Sequence, residues 1–256
     1  MRNRNNSIAF TLAEVLITLG IIGVIAALTI PTLMQKTQEA EAVSKVKKVY
    51  ALISEAVAQW ADENHCTDDI SECFAGTNVY AFDCRVVLKD LEPHLKIVDT
   101  RYQDEGAKLD TIDWIADTSY NLDGTPNNYN WQGVSKIHSS DIYSCNYLLA
   151  DGTTLMFSMG SPAIGTIFFD VNGKKKPNRV GKDQFPVGLG AYNNPAFNKL
   201  VSPYPSPYDG ASYSGGLCTS NDGNVCNPDD GKSPTAYVLK YGKLPDLGSA
   251  GFPALP

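Results

Sequence analysis

The sequence predicts an α+β chain: one long N-terminal helix packed on a small antiparallel β-sheet, with a loop-rich C-terminal region. Three observations predict it. Residues 15–33 carry no charge over 19 positions, a stretch fit for a membrane. Val43, Val46, Tyr50, Ile53, Val57 and Trp60 recur at three- and four-residue steps, the spacing that gathers apolar side chains on one helical face. Residues 143–150 and 153–159 read as strands, and Asp151-Gly152 between them suits a two-residue hairpin turn.

Taken in order, the first element is the apolar run. At 1.5 Å per residue its 19 positions make a helix of roughly 28 Å, close to the hydrocarbon thickness of a bilayer. Arg2 and Arg4 precede it with no acid among the first nine residues, so the positive-inside rule leaves this end in the cytoplasm and the bulk of the chain outside. A cleavable secretory signal has a shorter apolar region, usually about 7–15 residues. A plain anchor explains the length and the arginines but not Glu14, a carboxylate at the head of the run. An acid there is costly without a partner and marks a functional position.

Residues 9–19, Ala-Phe-Thr-Leu-Ala-Glu-Val-Leu-Ile-Thr-Leu, resemble the N-terminal segment of the type IV pilin and type II secretion pseudopilin superfamily. The resemblance implies a pilin-like fold and a leader, residues 1–9, that a prepilin peptidase removes. It implies a cut between Ala9 and Phe10, N-methylation of Phe10 and retention of Glu14 inside the helix. The family usually has Gly before the cut, where this chain has Ala9, the next smallest side chain; slower processing is the expectation. Cutting there creates an α-amine about one helical turn from Glu14. In a filament, Glu14 of one subunit would then pair with the Phe10 amine of its neighbour, giving the buried charge its partner. Pro31, which lacks a backbone donor inside the run, is expected to kink or locally melt the helix, and pilins often have a proline near this place. Gly20 and Gly23 read either as further weak points or as close-packing sites for a neighbouring helix.

The resemblance implies further partners: the peptidase/methyltransferase, other pilin or pseudopilin subunits, and an inner-membrane assembly platform. The implied location is a single pass in the bacterial inner membrane with the head outside, followed by a pilus or pseudopilus. By this reading the chain divides into the leader, a membrane and assembly helix over 10–35, its amphipathic continuation over 36–64, and a head over 65–256.

The amphipathic half is expected to run to about Glu63 and to lay its stripe on the sheet, with Lys45, Lys47 and Lys48 on the solvated side. Residues 80–98 hold Phe82, Val86, Leu91 and Leu95 at near-helical spacing, with Pro93 as an interruption or a fresh start. A third strand follows at 165–170, and 235–241 fits a late strand or a short helix equally well. Residues 184–230 are dense in Pro, Gly, Asn, Ser and Tyr and are expected to be an irregular covering loop.

Six cysteines in a domain outside the cytoplasm point to disulfides rather than metal. Cys218 and Cys226 flank a Gly/Asn/Asp turn and pair first. Cys66, Cys73, Cys84 and Cys145 then allow three connectivities, of which Cys66–Cys73 with Cys84–Cys145 is simplest. Asp170, Asn172 and Asp183 form an oxygen-rich segment and are candidate Ca²⁺ ligands, as in a head loop of some secretion pseudopilins. No full EF-hand pattern is present, and Lys174, Lys175 and Lys176 oppose a cation, so an Asn-Gly turn is the simpler account. No other cofactor is expected.

From residue 61 onward 15 Lys and Arg face 24 Asp and Glu, a net of −9, and the whole chain carries −7. This balance excludes a general binder of nucleic-acid backbone, which needs a basic stripe. Catalytic patterns fail as well. His65, His94 and His138 show no H-E-x-x-H spacing, and no G-x-S-x-G is present. Gly231-Lys232-Ser233 resembles the end of a phosphate-binding loop, but Cys226 stands where that loop needs Gly. With these patterns absent no enzyme is expected, and the resemblance implies a structural subunit. A membrane-anchored binding module, contacting its target through the Tyr/Pro-rich loops, is the alternative.

Overall fold

A computed structural model describes residues 11–66, 91–103, 113–115, 118–120, 144–161, 164–189, 200–202 and 234–245. Helix α1 spans Leu12–Glu63, 52 residues, and ends where the periodic stripe ends. Two compact units divide the chain, Met1–Glu41 and Ala42–Pro256.

From Val15 to Met34, within the first unit, α1 is apolar on every side. It is long and apolar enough to cross a membrane, with a mean hydropathy of 2.3 over its best window. The helix is continuous through Pro31, so the expected local melting does not occur. Thr29 and Thr32 turn their hydroxyls back onto the carbonyls of Ile25 and Thr29, each at 2.9 Å, which satisfies these polar groups within the helix. Nothing lies within 4 Å of a Cβ placed at Gly20 or Gly23.

The second unit is built around the other part of α1. Val46, Val49, Ile53, Ala56, Val57 and Trp60 are buried, and Val43 and Tyr50 pack partly against them. The predicted stripe is therefore the core face. Against it lies an antiparallel sheet of strands β1 (Ile97–Gln103), β2 (Ser144–Leu149), β3 (Thr154–Ser161), β4 (Ile164–Asp170), β5 (Gln184–Leu189) and the two-residue β6 (Val201–Ser202). Its strand order is the chain order. Register aligns Cys145 with Phe157 and Ile167, and Tyr147 with Leu155 and Phe169, while Phe169 faces Phe185. Two-residue alternation places these side chains on one face, in the same buried cluster as the α1 stripe. Tyr147 meets Phe157 edge-on at 5.5 Å, and Phe169 stacks on Phe185 at 5.7 Å.

Several expectations change. The β2–β3 turn holds three residues rather than two: the Gly152 amide donates to Leu149 and the Leu149 amide to Thr153, with Gly152 at φ +83°. This is a type I turn closed by a left-handed glycine, a loop in which Asp-Gly also fits. Ile97 and Val98 are not the end of a helix. A 3₁₀ turn, Glu92–His94, ends at Leu95, which has extended backbone, and β1 follows. Proline at its start suits that turn and cannot extend one behind it. Residues 80–90 lie outside the described residues. Of the two readings left open for 235–241, the helix is the one that forms, as α2 (Pro234–Tyr241).

The expected loop over 184–230 begins instead with β5, all six of whose residues are buried. Pro186 and Gly188 hide this strand from a reading based on propensity. Proline is tolerated there because β6 opposes only Gly188 and Leu189, leaving Pro186 beyond the pairing. The Pro186 carbonyl instead accepts a hydrogen bond from Thr235 of α2. Of the remainder of that segment, only residues 200–202 are described.

Candidate functional site

Three groups of predicted positions can be followed from the residues upward. The first is the start of α1. Ala9 and Phe10 lie outside the described residues. Thr11 precedes the helix and caps it: its hydroxyl accepts from the Glu14 amide at 3.2 Å, and its own amide donates to Glu14 Oε2 at 2.9 Å. The Thr11 hydroxyl donates to the same carboxylate oxygen at 2.8 Å. This is a capping box, in which Thr and Glu three residues apart satisfy orphan donors at a helix start. The Thr-x-x-Glu spacing could have revealed it, and Thr11 is the residue that sequence reasoning passed over. Beyond it Leu12, Leu16, Ile17, Leu19, Ile21, Ile22 and Val24 are all more than half exposed.

The cysteines form the second group. Cys66 and Cys145 stand in disulfides, and no cysteine among the described residues is free. Cys73, Cys84, Cys218 and Cys226, and with them the expected pairings, lie outside the described residues. Both described cysteines are fully buried, Cys66 just past α1 and Cys145 in β2. Cross-links at these places shorten the free chain of the unfolded state around the core.

The third group is the loop between β4 and β5, which brings Asp170, Asn172 and Asp183 together. Asp183 Oδ1 accepts from the Arg179 amide at 2.6 Å, and Oδ2 accepts from the Asn178 amide at 2.7 Å and from Asn172 Nδ2 at 3.2 Å. Asp170 Oδ1 accepts from the Asn172 amide at 2.9 Å, and Oδ2 from Gln184 Nε2 at 3.1 Å. Gln184 Oε1 in turn accepts from the Ser119 hydroxyl. Sequence reasoning had no signal for Ser119 or Gln184.

These carboxylates are spent on N–H donors. Where a Ca²⁺ ion needs several oxygens turned toward one point, this loop turns amides toward the carboxylate oxygens. Among the described residues no three His, Cys, Asp or Glu side chains gather as a metal site. The turn leaving β4 satisfies the two carboxylates, while Asn172 Oδ1 and Asn178 Oδ1 are buried without a hydrogen-bond partner among the described residues. Burial pushes the Asp170 carboxyl well above the usual carboxylate range, and the neighbouring Asp183 pushes it further. Burial raises Asp183 too, against the pull of the Arg179 and Asn178 amides.

Lys45 and Lys48, expected on a solvated face, reach into this part of the head. Lys45 Nζ donates to the Val171 carbonyl at 3.4 Å, and Lys48 Nζ pairs with Asp151 Oδ2 at 2.8 Å. Burial alone would raise the Asp151 carboxyl, but Lys48 and Thr153 together outweigh it and hold it below its ordinary value. No family model, characterised protein or solved structure matches the chain.

Proposed function

We propose that this chain is a prepilin-like subunit of a type IV pilus or type II secretion pseudopilus, and that its chemistry is done to it rather than by it. A prepilin peptidase cuts between Ala9 and Phe10 and the new Phe10 amine is methylated. The subunit then leaves the inner membrane for a helical filament through an assembly platform. The observation that carries the reading is the start of α1: a helix apolar on every side, exposed along its length, with one carboxylate at its head. Exposed apolar surface of this extent needs lipid or other helices around it. Both are supplied in turn, lipid before assembly and the α1 helices of neighbouring subunits afterwards.

Glu14 gives that packing its register. Its Oε2 is engaged by Thr11, and a carboxylate has acceptor capacity for more than one donor. The Phe10 amine of an adjacent subunit therefore finds an ordered acceptor. Intact mass and N-terminal sequencing after co-expression with a prepilin peptidase test the processing: the expected mature chain begins at N-methylated Phe10. A chain still starting at Met1, or cut after the apolar run, overturns the proposal. Glu14→Ala tests assembly in the same cells. Filament yield, read by shearing and immunoblotting, is expected to fall at least about a hundredfold, roughly the 3–5 kcal/mol that an unpaired buried charge costs. An unchanged yield would leave an anchored binding module in its place.

A further inference from the structure

We infer that one end of the head is a basic collar that docks on anionic phospholipid headgroups. The inference rests on the membrane-anchoring part of the proposed function and not on polymerisation.

Side-chain contacts bring the collar together from separate parts of the second unit. Lys45 reaches the Val171 carbonyl at 3.4 Å and Lys48 reaches Asp151 at 2.8 Å, so α1 at 45–48 lies beside both the β2–β3 turn and the loop after β4. That loop and turn touch each other, since a Cβ at Gly173 would stand 3.3 Å from the Gly152 carbonyl oxygen. Immediately beyond Gly173 come Lys174, Lys175 and Lys176, all exposed. On the other flank, a Cβ at Gly242 would stand 3.5 Å from Lys47 Nζ, which brings exposed Lys243 to the same end.

The acids there do not cancel this charge. Asp151 is tied to Lys48, while Asp170 and Asp183 are buried and hydrogen-bonded within the loop. Asp113 is exposed near the Trp114 carbonyl, which lies 3.4 Å from the same Cβ position at Gly173. Together with Glu39 and Glu41 of α1 it sets three carboxylates against Lys47, Lys174, Lys175, Lys176 and Lys243. In a head whose net charge is −9, lysines gathered at one end form a local positive surface that complements a negative one.

Chain connectivity identifies that surface. The second unit begins at Ala42, and Lys45 follows the last apolar residue of the run, Met34, by eleven positions. The headgroups around the chain's own membrane segment are a large negative surface tethered eleven positions from Lys45. Anionic lipid attracts basic side chains within about a Debye length, and each lysine brought to it strengthens binding about fivefold.

The test uses the full chain inserted in vesicles of phosphatidylcholine, with or without phosphatidylglycerol, and follows acylation of each lysine by mass spectrometry. At low salt, acylation of Lys174, Lys175 and Lys176 is expected to slow at least about fivefold in the phosphatidylglycerol vesicles and to recover when salt is raised. Substituting all three by Gln, changes confined to exposed side chains, is expected to remove the lipid dependence at Lys47 as well. Equal rates in both vesicles overturn the docking. So does protection in neutral vesicles that grows with protein density, which assigns the lysines to a second copy. A chain that fails to float with either vesicle refutes the anchoring itself, a result distinct from one that floats with its lysines unprotected.

Discussion

Two parts of a single helix differ more than the helix differs from the sheet. In the first unit Leu16, Ile17 and Val24 of α1 are each 62% exposed, whereas Val46 and Val57 in the second are 0% exposed. Both parts are helical and rich in branched aliphatic residues. What separates them is distribution: apolar on all sides from Val15 to Met34, apolar along one stripe beyond Glu41. A single stripe is satisfied by one packed face, here the sheet, while an all-round apolar helix calls for surroundings that the chain alone does not supply. The first part is thus adapted to an environment and the second to a fold.

The sharpest way to break this comparison is a matched pair of truncations. Ile53→Ala, at 1% exposure in the core, is expected to destabilise the head by about 2–5 kcal/mol. Ile17→Ala, at 62% exposure, is expected to leave head stability within about 0.5 kcal/mol. Urea unfolding of the full chain in detergent, followed by tryptophan fluorescence, reads both. Equal losses would mean that the two parts form one cooperative unit.

A second prediction concerns pH. Asp170 and Asp183 have folded pKa values raised above the ordinary carboxylate value, so between the unfolded and folded values the folded state holds more protons. Stability from this pair is therefore greatest below about pH 4 and falls as pH rises through the raised values. Asp170→Asn is expected to flatten that fall by up to about 1.4 kcal/mol per pH unit. Unfolding midpoints across mildly acidic to neutral pH check it, and parallel curves for the two proteins would refute it. The smallest effect belongs to the ion pair beside this loop. Lys48 is 64% exposed, so Lys48→Ala is expected to cost no more than about 1 kcal/mol, and less at high salt. A larger loss in the same melt would show that the α1–turn contact is part of the core.

Periodicity explains which parts of the fold were legible. The α1 stripe, its end near Glu63, strands β2 to β4 and the turn at Gly152 all follow from local patterns of apolar residues and turn chemistry. Strand β5 did not, because Pro186 and Gly188 are unfavourable locally and are tolerated only through the short pairing of β6 and the Thr235 hydrogen bond, both distant in sequence. Strand β1 was concealed by Leu91 and Leu95, whose helical spacing stops at the 3₁₀ turn. At the candidate sites Glu14 was legible because a lone acid in an apolar run stands out. The role of Asp183 as an acceptor for backbone amides depends on where the chain returns after residues 174–177, which no spacing rule fixes.

The two outer strands of the described sheet carry one further consequence. β1 is irregular between Ile97 and Asp99 and bears an Asp99–Arg101 pair at 3.1 Å. At the other side β6 is two residues long, and Pro186 in β5 offers no amide. Bulges, charges and proline at an edge discourage sheets from joining end to end. Heads crowded along the proposed filament would thus meet through side chains and loops, and a subunit could be withdrawn without unzipping a ladder of main-chain bonds.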